Sequence, residues 1–151
     1  MTNHQFTILS TGSLVLNESL PAENGDHPVS VPVEVIPFIK IVLKEDDQTR
    51  NQILAFARKP LTVIFTSTNA AKAVIAVLDG IPDWEVYCVG RETRKQLLSF
   101  FSKSSVRDYA DNAEDLSGRI IQQGRVKQAV FFCGDQRRDI LPDKMKDHGI
   151  H

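Results

Sequence analysis

The sequence predicts an α/β fold, a parallel β-sheet covered by helices on both faces. Two observations carry that prediction. Runs such as "LTVIF", "EVYCV" and "AVFFC" are apolar at nearly every position, as strands buried on both faces must be. They alternate with helix-like segments that start on capping residues and stop at glycine, which is the order of βαβ units. About five strands with four or five helices make a doubly wound, flavodoxin-like sheet.

The elements run in order along the chain. "FTILS" (6–10) is a short apolar run. A poorly periodic segment succeeds it, with a turn signal at Asn24-Gly25 and room for one short helix around Leu14 to Leu20. "VSVPVEVIPFIKIVL" gives extended stretches broken at Pro32 and Pro37, since proline cannot donate to a strand ladder. From Phe38 the pattern is regular. "FIKIVL" reads as a strand, and "DQTRNQILAFAR" as a helix with Ile53, Leu54 and Ala57 on one face. "LTVIF" is a strand, and "NAAKAVIAVLDG" a helix ended by Gly80. "EVYCV" and "ETRKQLLSFF" repeat the strand–helix pair, and "VRDYA" is a short extended piece. "DNAEDLSGRIIQQG" is a helix with Asp111 as N-cap, Glu114 at the capping-box position and Gly124 as C-cap. "AVFFC" and "DQRRDILPDKMKDHG" complete the pattern, and "GIH" reads as the approach to another strand.

Composition excludes several classes of function. At 151 residues, 42% hydrophobic and 25% charged, the chain suits an ordinary globular protein. A net charge of −1 gives no electrostatic case for nucleic acid or an anionic membrane. No apolar run approaches the roughly 20 residues of a membrane-spanning helix. The start, "MTNHQFTILS", does not read as a signal peptide, so the expected location is cytoplasmic. Cys88 and Cys133 sit in apolar strands without a CxxC or a zinc-type Cys/His spacing, and are expected to be reduced and buried. No metal is expected.

In such a sheet, ligands bind beyond the carboxyl ends of the strands. Three of those ends are polar: "FTSTNAA", "CVGRET" and "FFCGDQRR". The first turn of a helix leaves backbone N–H groups without partners and carries positive potential, which suits a carboxylate or phosphate. The candidate binding residues are therefore Thr66, Ser67, Thr68, Asn69, Gly90, Arg91, Thr93, Gly134, Asp135 and Gln136. Each turn also has a plain reading: Thr68 or Asn69, and Asp135, as helix caps. Arg137-Arg138 suits either a carboxylate or a solvated helix face. The acidic pairs Asp46-Asp47 and Glu114-Asp115 start helices and read as dipole partners. Trp84 reads as packing at a strand edge, and His4, His27, His148 and His151 as solvated. GxGxxG, Walker and GxSxG motifs are absent, and the residues nominate no general acid or base.

Taken together, "VIFTSTNAAKAV", "VYCVGRETRKQL", "DNAEDL" and "FFCGDQRRDILPDKMKDHGI" resemble uroporphyrinogen-III synthase. The family's strand ending in Thr-Ser-x-Asn-Ala corresponds to Thr66, Ser67, Asn69 and Ala70. Its Val-Gly-x-x-Thr turn corresponds to Val89, Gly90 and Thr93, and its Gly-Asp and Leu-rich helix to Gly134, Asp135 and Leu141. "VEVIPFIKI" is similar to its crossing segment. Where the family often has Thr-Arg-Pro after its first strand, this chain has Ser10-Thr11-Gly12-Ser13. Tyr87 and Tyr109 match no catalytic tyrosine of the family.

The resemblance implies two α/β domains, with residues 1–36 opening the first and 37–151 forming nearly all of the second. It implies a hydro-lyase that closes hydroxymethylbilane, a linear tetrapyrrole rich in carboxylates, into uroporphyrinogen III while inverting the last pyrrole ring. It further implies no cofactor and a small-molecule substrate as the partner, and the chain is expected to be a monomer. The returning part of the first domain is expected beyond His151, so little activity is expected of the chain alone. The residues by themselves leave another reading open, a self-contained α/β module that binds a small anion or a partner protein.

Overall fold

The computed structural model describes residues 8–10, 33–35, 46–134 and 139–151. The chain divides into two compact units, Met1–Val42 and Leu43–His151. In the first, β1 (Ile8–Ser10) pairs in parallel with β2 (Val33–Val35), Ile8 standing opposite Val33. The predicted helix at 14–20, the proline breakers and the "FIKIVL" strand lie outside the described residues. So do Asp135, Gln136, Arg137 and Arg138.

The second unit is a four-stranded, all-parallel sheet flanked by five helices, the doubly wound architecture the alternating pattern predicts, with four strands against about five expected. The strands are β3 (Leu61–Phe65), β4 (Trp84–Val89), β5 (Val106–Ala110) and β6 (Val130–Phe132), in the spatial order β5-β4-β3-β6. The helices are α1 (Asp47–Ala57), α2 (Thr68–Val77), α3 (Arg91–Leu98), α4 (Ala113–Gln123) and α5 (Ile140–Asp147).

Strand side chains alternate faces, and the two cores divide by that parity. Val63 and Phe65, with Trp84, Val86 and Cys88, face α1, α2 and α3. Ile64 and Tyr87 face α4 and α5, against Leu116, Ile120, Leu141 and Met145. The first core is aromatic: Phe132 stacks on Phe65 at 5.1 Å and on Trp84 at 5.7 Å between ring centroids. Trp84 opens a strand in the sheet interior rather than lining an edge, and its Nε1 donates to the Phe56 carbonyl at 3.2 Å.

β5 keeps its faces through an irregularity. Val86 pairs with Val106, yet Tyr87 pairs with Asp108, so Arg107 is the extra residue of a bulge. The bulge flips the parity of the rest of the strand, which sends Val106 to the first core and Ala110 to the second. Arg107 itself turns outward to an ion pair with Glu85 at 2.8 Å.

Caps settle the helix starts, in places one residue from where the sequence suggests. Asp46 caps α1, its Oδ1 accepting from the Thr49 N–H at 2.7 Å, as its place in an acidic pair implied. Asn112, not Asp111, caps α4, because Asn112 is the residue in extended backbone before the first turn. Its Oδ1 accepts from the Asp115 N–H at 2.8 Å and its Nδ2 donates to the Asp115 carboxylate at 2.8 Å, so Asp115 rather than Glu114 closes the box. Gly124 ends α4 at φ +65°, as expected. α2 stops at Val77, ahead of Gly80, because Leu78 leaves helical backbone at ψ 131°. In α5 the cap position belongs to Asp139, and Pro142 fits in the first turn, where its missing N–H has no helical acceptor.

Candidate functional site

Helices α2 and α3 pack on one face and α4 and α5 on the other, so the winding reverses between β3 and β6. Beyond the carboxyl ends of two strands at such a reversal lies the usual ligand position in open α/β sheets. Thr66 and Ser67 leave β3 on one side of it, and Cys133 and Gly134 leave β6 on the other. The Thr66 N–H still donates to the Phe132 carbonyl at 3.4 Å, the last bond between the two strands among the described residues. The β4–α3 turn, Gly90 to Thr93, adjoins the β3 side.

Each turn is built differently. Ser67 sits in extended backbone (φ −152°, ψ 140°), and its Oγ accepts from the Ala70 N–H at 3.2 Å, so Ser67 caps α2 and neither Thr68 nor Asn69 does. The Thr66 hydroxyl and the Asn69 amide make no side-chain hydrogen bond among the described residues, and both are half-buried. Thr68 turns sideways, its Oγ1 lying 3.2 Å from the Thr93 Oγ1.

The β4–α3 turn begins at Gly90, whose φ of +88° and ψ of 144° are open to glycine and nearly closed to other residues. Gly90 has no side chain to cap α3, and the helix proper begins with the Arg94 N–H donating to the Gly90 carbonyl at 3.1 Å. First-turn N–H groups of α3 therefore point out of the helix without a side-chain acceptor from the cap position. Thr93 is buried, whereas Arg91 is exposed and pairs with Asp111 at 3.5 Å. Arg94 lies over the Tyr109 ring, 4.7 Å from its centroid.

Cys88, two residues before Gly90, is enclosed by the sheet, and burial pushes its thiol from 9.0 up to about 12, against a smaller opposing pull from Arg94. Cys133 is half-buried rather than buried, and so are all three residues of β6, the outer strand of the described sheet, that precede it. Neither cysteine takes part in a disulfide.

Of the sequence-predicted residues, Thr66 to Asn69, Gly90, Arg91 and Thr93 occupy adjoining turns, and Gly134 follows β6 in an exposed position. Asp135 and Gln136 lie outside the described residues. The sequence reading missed Asp111 as the partner of Arg91, and missed the ring contact of Arg94 with Tyr109; neither spacing is regular enough to signal them. Tyr87 is fully buried on the α4 side, receiving a hydrogen bond from Arg125 at 2.9 Å and reaching Gln123 Oε1 at 3.1 Å. A shallow groove between α4 and α5, lined by Glu114, Asp115, Gly118, Arg119, Gln122 and Lys144, contains none of the predicted residues. No group of His, Cys, Asp and Glu among the described residues is arranged to hold a metal ion, and no helix among them is long and apolar enough to cross a membrane.

A sheet edge that brings together helix starts, hydroxyls and a half-buried amide can hold anions through backbone N–H groups with few fixed cations. Comparison with known families matches residues 29–151 to the family described as uroporphyrinogen-III synthase HemD. No curated protein gives a significant match.

Proposed function

From the premise that this chain belongs to the uroporphyrinogen-III synthase family, we propose that it acts in closing hydroxymethylbilane to uroporphyrinogen III, with loss of water and inversion of the last ring. The observation that carries the reading is the meeting of the β3–α2 and β4–α3 turns beside the point where the sheet reverses. Substrate carboxylates bind there to first-turn N–H groups, to the Thr66 hydroxyl and the Asn69 amide, and to Arg91 when it exchanges Asp111 for substrate. Gly134, Asp135 and Gln136 contribute from the β6 side.

Spontaneous closure of the linear tetrapyrrole gives the uninverted isomer, so the protein's task is chiefly geometric. Carboxylates held at several fixed points restrict the chain to a conformation from which the inverted ring closes, and such restriction is worth many powers of ten in effective concentration. The site is assigned no cofactor, and no residue is assigned as proton donor. In the same reading residues 1–36 open a first domain and 37–151 form nearly all of a second, and the protein is a cytoplasmic monomer whose 151-residue chain turns over slowly on its own.

Isomer analysis tests the proposal. Fresh hydroxymethylbilane is incubated with this chain and with the longest product of its gene, and the products are oxidised and separated. Type III product above the spontaneous background supports the reading, and its yield is expected to fall in Ser67→Ala and Asn69→Ala. Type I alone from both proteins, or an isomer ratio untouched by both substitutions, refutes it.

A further inference from the structure

Thr93 occupies the first turn of α3, yet only 4% of its surface is exposed. A buried hydroxyl requires a partner, and the Thr68 hydroxyl on the neighbouring helix α2 supplies it at 3.2 Å. We infer that Thr93 is a positioning residue acting through Thr68, the paired hydroxyls locking the β4–α3 turn to the β3–α2 turn so that two helix N-termini address one anionic ligand. The inference rests on the reading of this edge as a carboxylate site, and it changes the part Thr93 plays there from contact to linkage.

The surroundings explain why a link is needed. α3 starts on a glycine without a cap bond, so no side chain in its own cap position fixes the direction of its first N–H groups. On the β5 side α3 is held by Arg91 with Asp111 and by Arg94 over Tyr109. On the β3 side the polar tie is the threonine pair. Hydrogen bonds to a ligand weaken steeply with angle, so a small rotation of α3 against α2 moves one set of donors off a ligand that the other still holds. A Cβ at Gly90 would come 3.8 Å from the Thr93 Oγ1, which places the pair directly beneath the turn it steadies.

Uroporphyrin III, a stable and fluorescent polycarboxylate of the product's shape, is the probe. Its affinity is measured for the 151-residue chain and for Thr93→Val, Thr68→Val, the double variant and Thr93→Ser, with urea midpoints for each. Loss of one neutral hydrogen bond predicts about five- to tenfold weaker binding in either valine variant. Because the residues act as one unit, the double variant is expected to lose about the same factor rather than the product of the two. Thr93→Ser, which keeps the hydroxyl, is expected to bind within about twofold of the unsubstituted chain. Multiplying losses, a serine variant as weak as the valine variant, or lowered urea midpoints with unchanged affinity would each overturn the linkage while leaving the carboxylate site standing. Failure of the unsubstituted chain to bind the probe would overturn the carboxylate reading, and the linkage with it.

Discussion

Helices α3 and α4 begin at the same edge of the same sheet, one strand apart, and they begin in opposite ways. α4 is closed: Asn112 and Asp115 bond to each other twice, and both are exposed. α3 is left open, since Gly90 offers no side chain and adopts backbone that other residues avoid. A cap of the first kind contributes about 1 kcal/mol to stability and needs nothing further. A start of the second kind forgoes that contribution and leaves donors unassigned. Under the proposed reading, the contrast separates a helix terminus arranged for folding from one arranged for a ligand.

The strongest way to break this comparison is Gly90→Ala. The added Cβ meets only ordinary contact with Thr93, so the cost is backbone strain, about 1–3 kcal/mol. Urea unfolding is expected to show that loss, and uroporphyrin III binding is expected to fall with it. A stability unchanged within a few tenths of a kcal/mol would mean that the turn tolerates a side chain.

Ser67→Ala comes next, because Ser67 belongs to both categories. It caps α2 and stands at the carboxyl end of β3, so it is expected to lose about 1 kcal/mol of stability together with affinity for the probe. Asn112→Ala supplies the control. The same loss of about 1 kcal/mol is expected there with affinity unchanged, since that cap is complete within its own turn. Equal effects of the two variants on binding would dissolve the distinction between the two kinds of helix start.

How much of this was legible in the sequence depends on the range of the interaction. β3, β4 and β6 were readable because short continuous apolar runs have few uses other than strands buried on both faces. β5 was readable as extended, but its bulge at Arg107 was not, because the bulge is set by the facing strand. Caps were legible to within a residue. Ser67, Thr68 and Asn69 are all good caps, and the choice among them is made by which residue is extended when the strand hands over to the helix. Asp111 and Asn112 present the same ambiguity. The polar turns at Thr66 and Gly90 were visible as candidates, whereas the bond between Thr68 and Thr93 joins residues 25 positions apart and depends on strand order.

The smallest effect at neutral pH concerns Cys88, and it sharpens the comparison between the strand and the open turn at its end. Its thiol titrates near 9.0 when unfolded and near 12 in the folded protein, because burial penalises the thiolate. Below pH 9 both states keep the proton, and the cysteine adds no pH dependence. Between about 9 and 12 the unfolded chain gives up the proton while the folded one retains it, so stability falls as pH rises. Urea midpoints measured across that range are expected to decline less steeply in Cys88→Ala than in the unsubstituted chain. A thiol reagent at about pH 8 is expected to modify half-buried Cys133 well before Cys88. Equal rates would mean that β4 opens as readily as the end of β6. The enclosed strand would then not be the rigid base from which the Gly90 turn presents its donors.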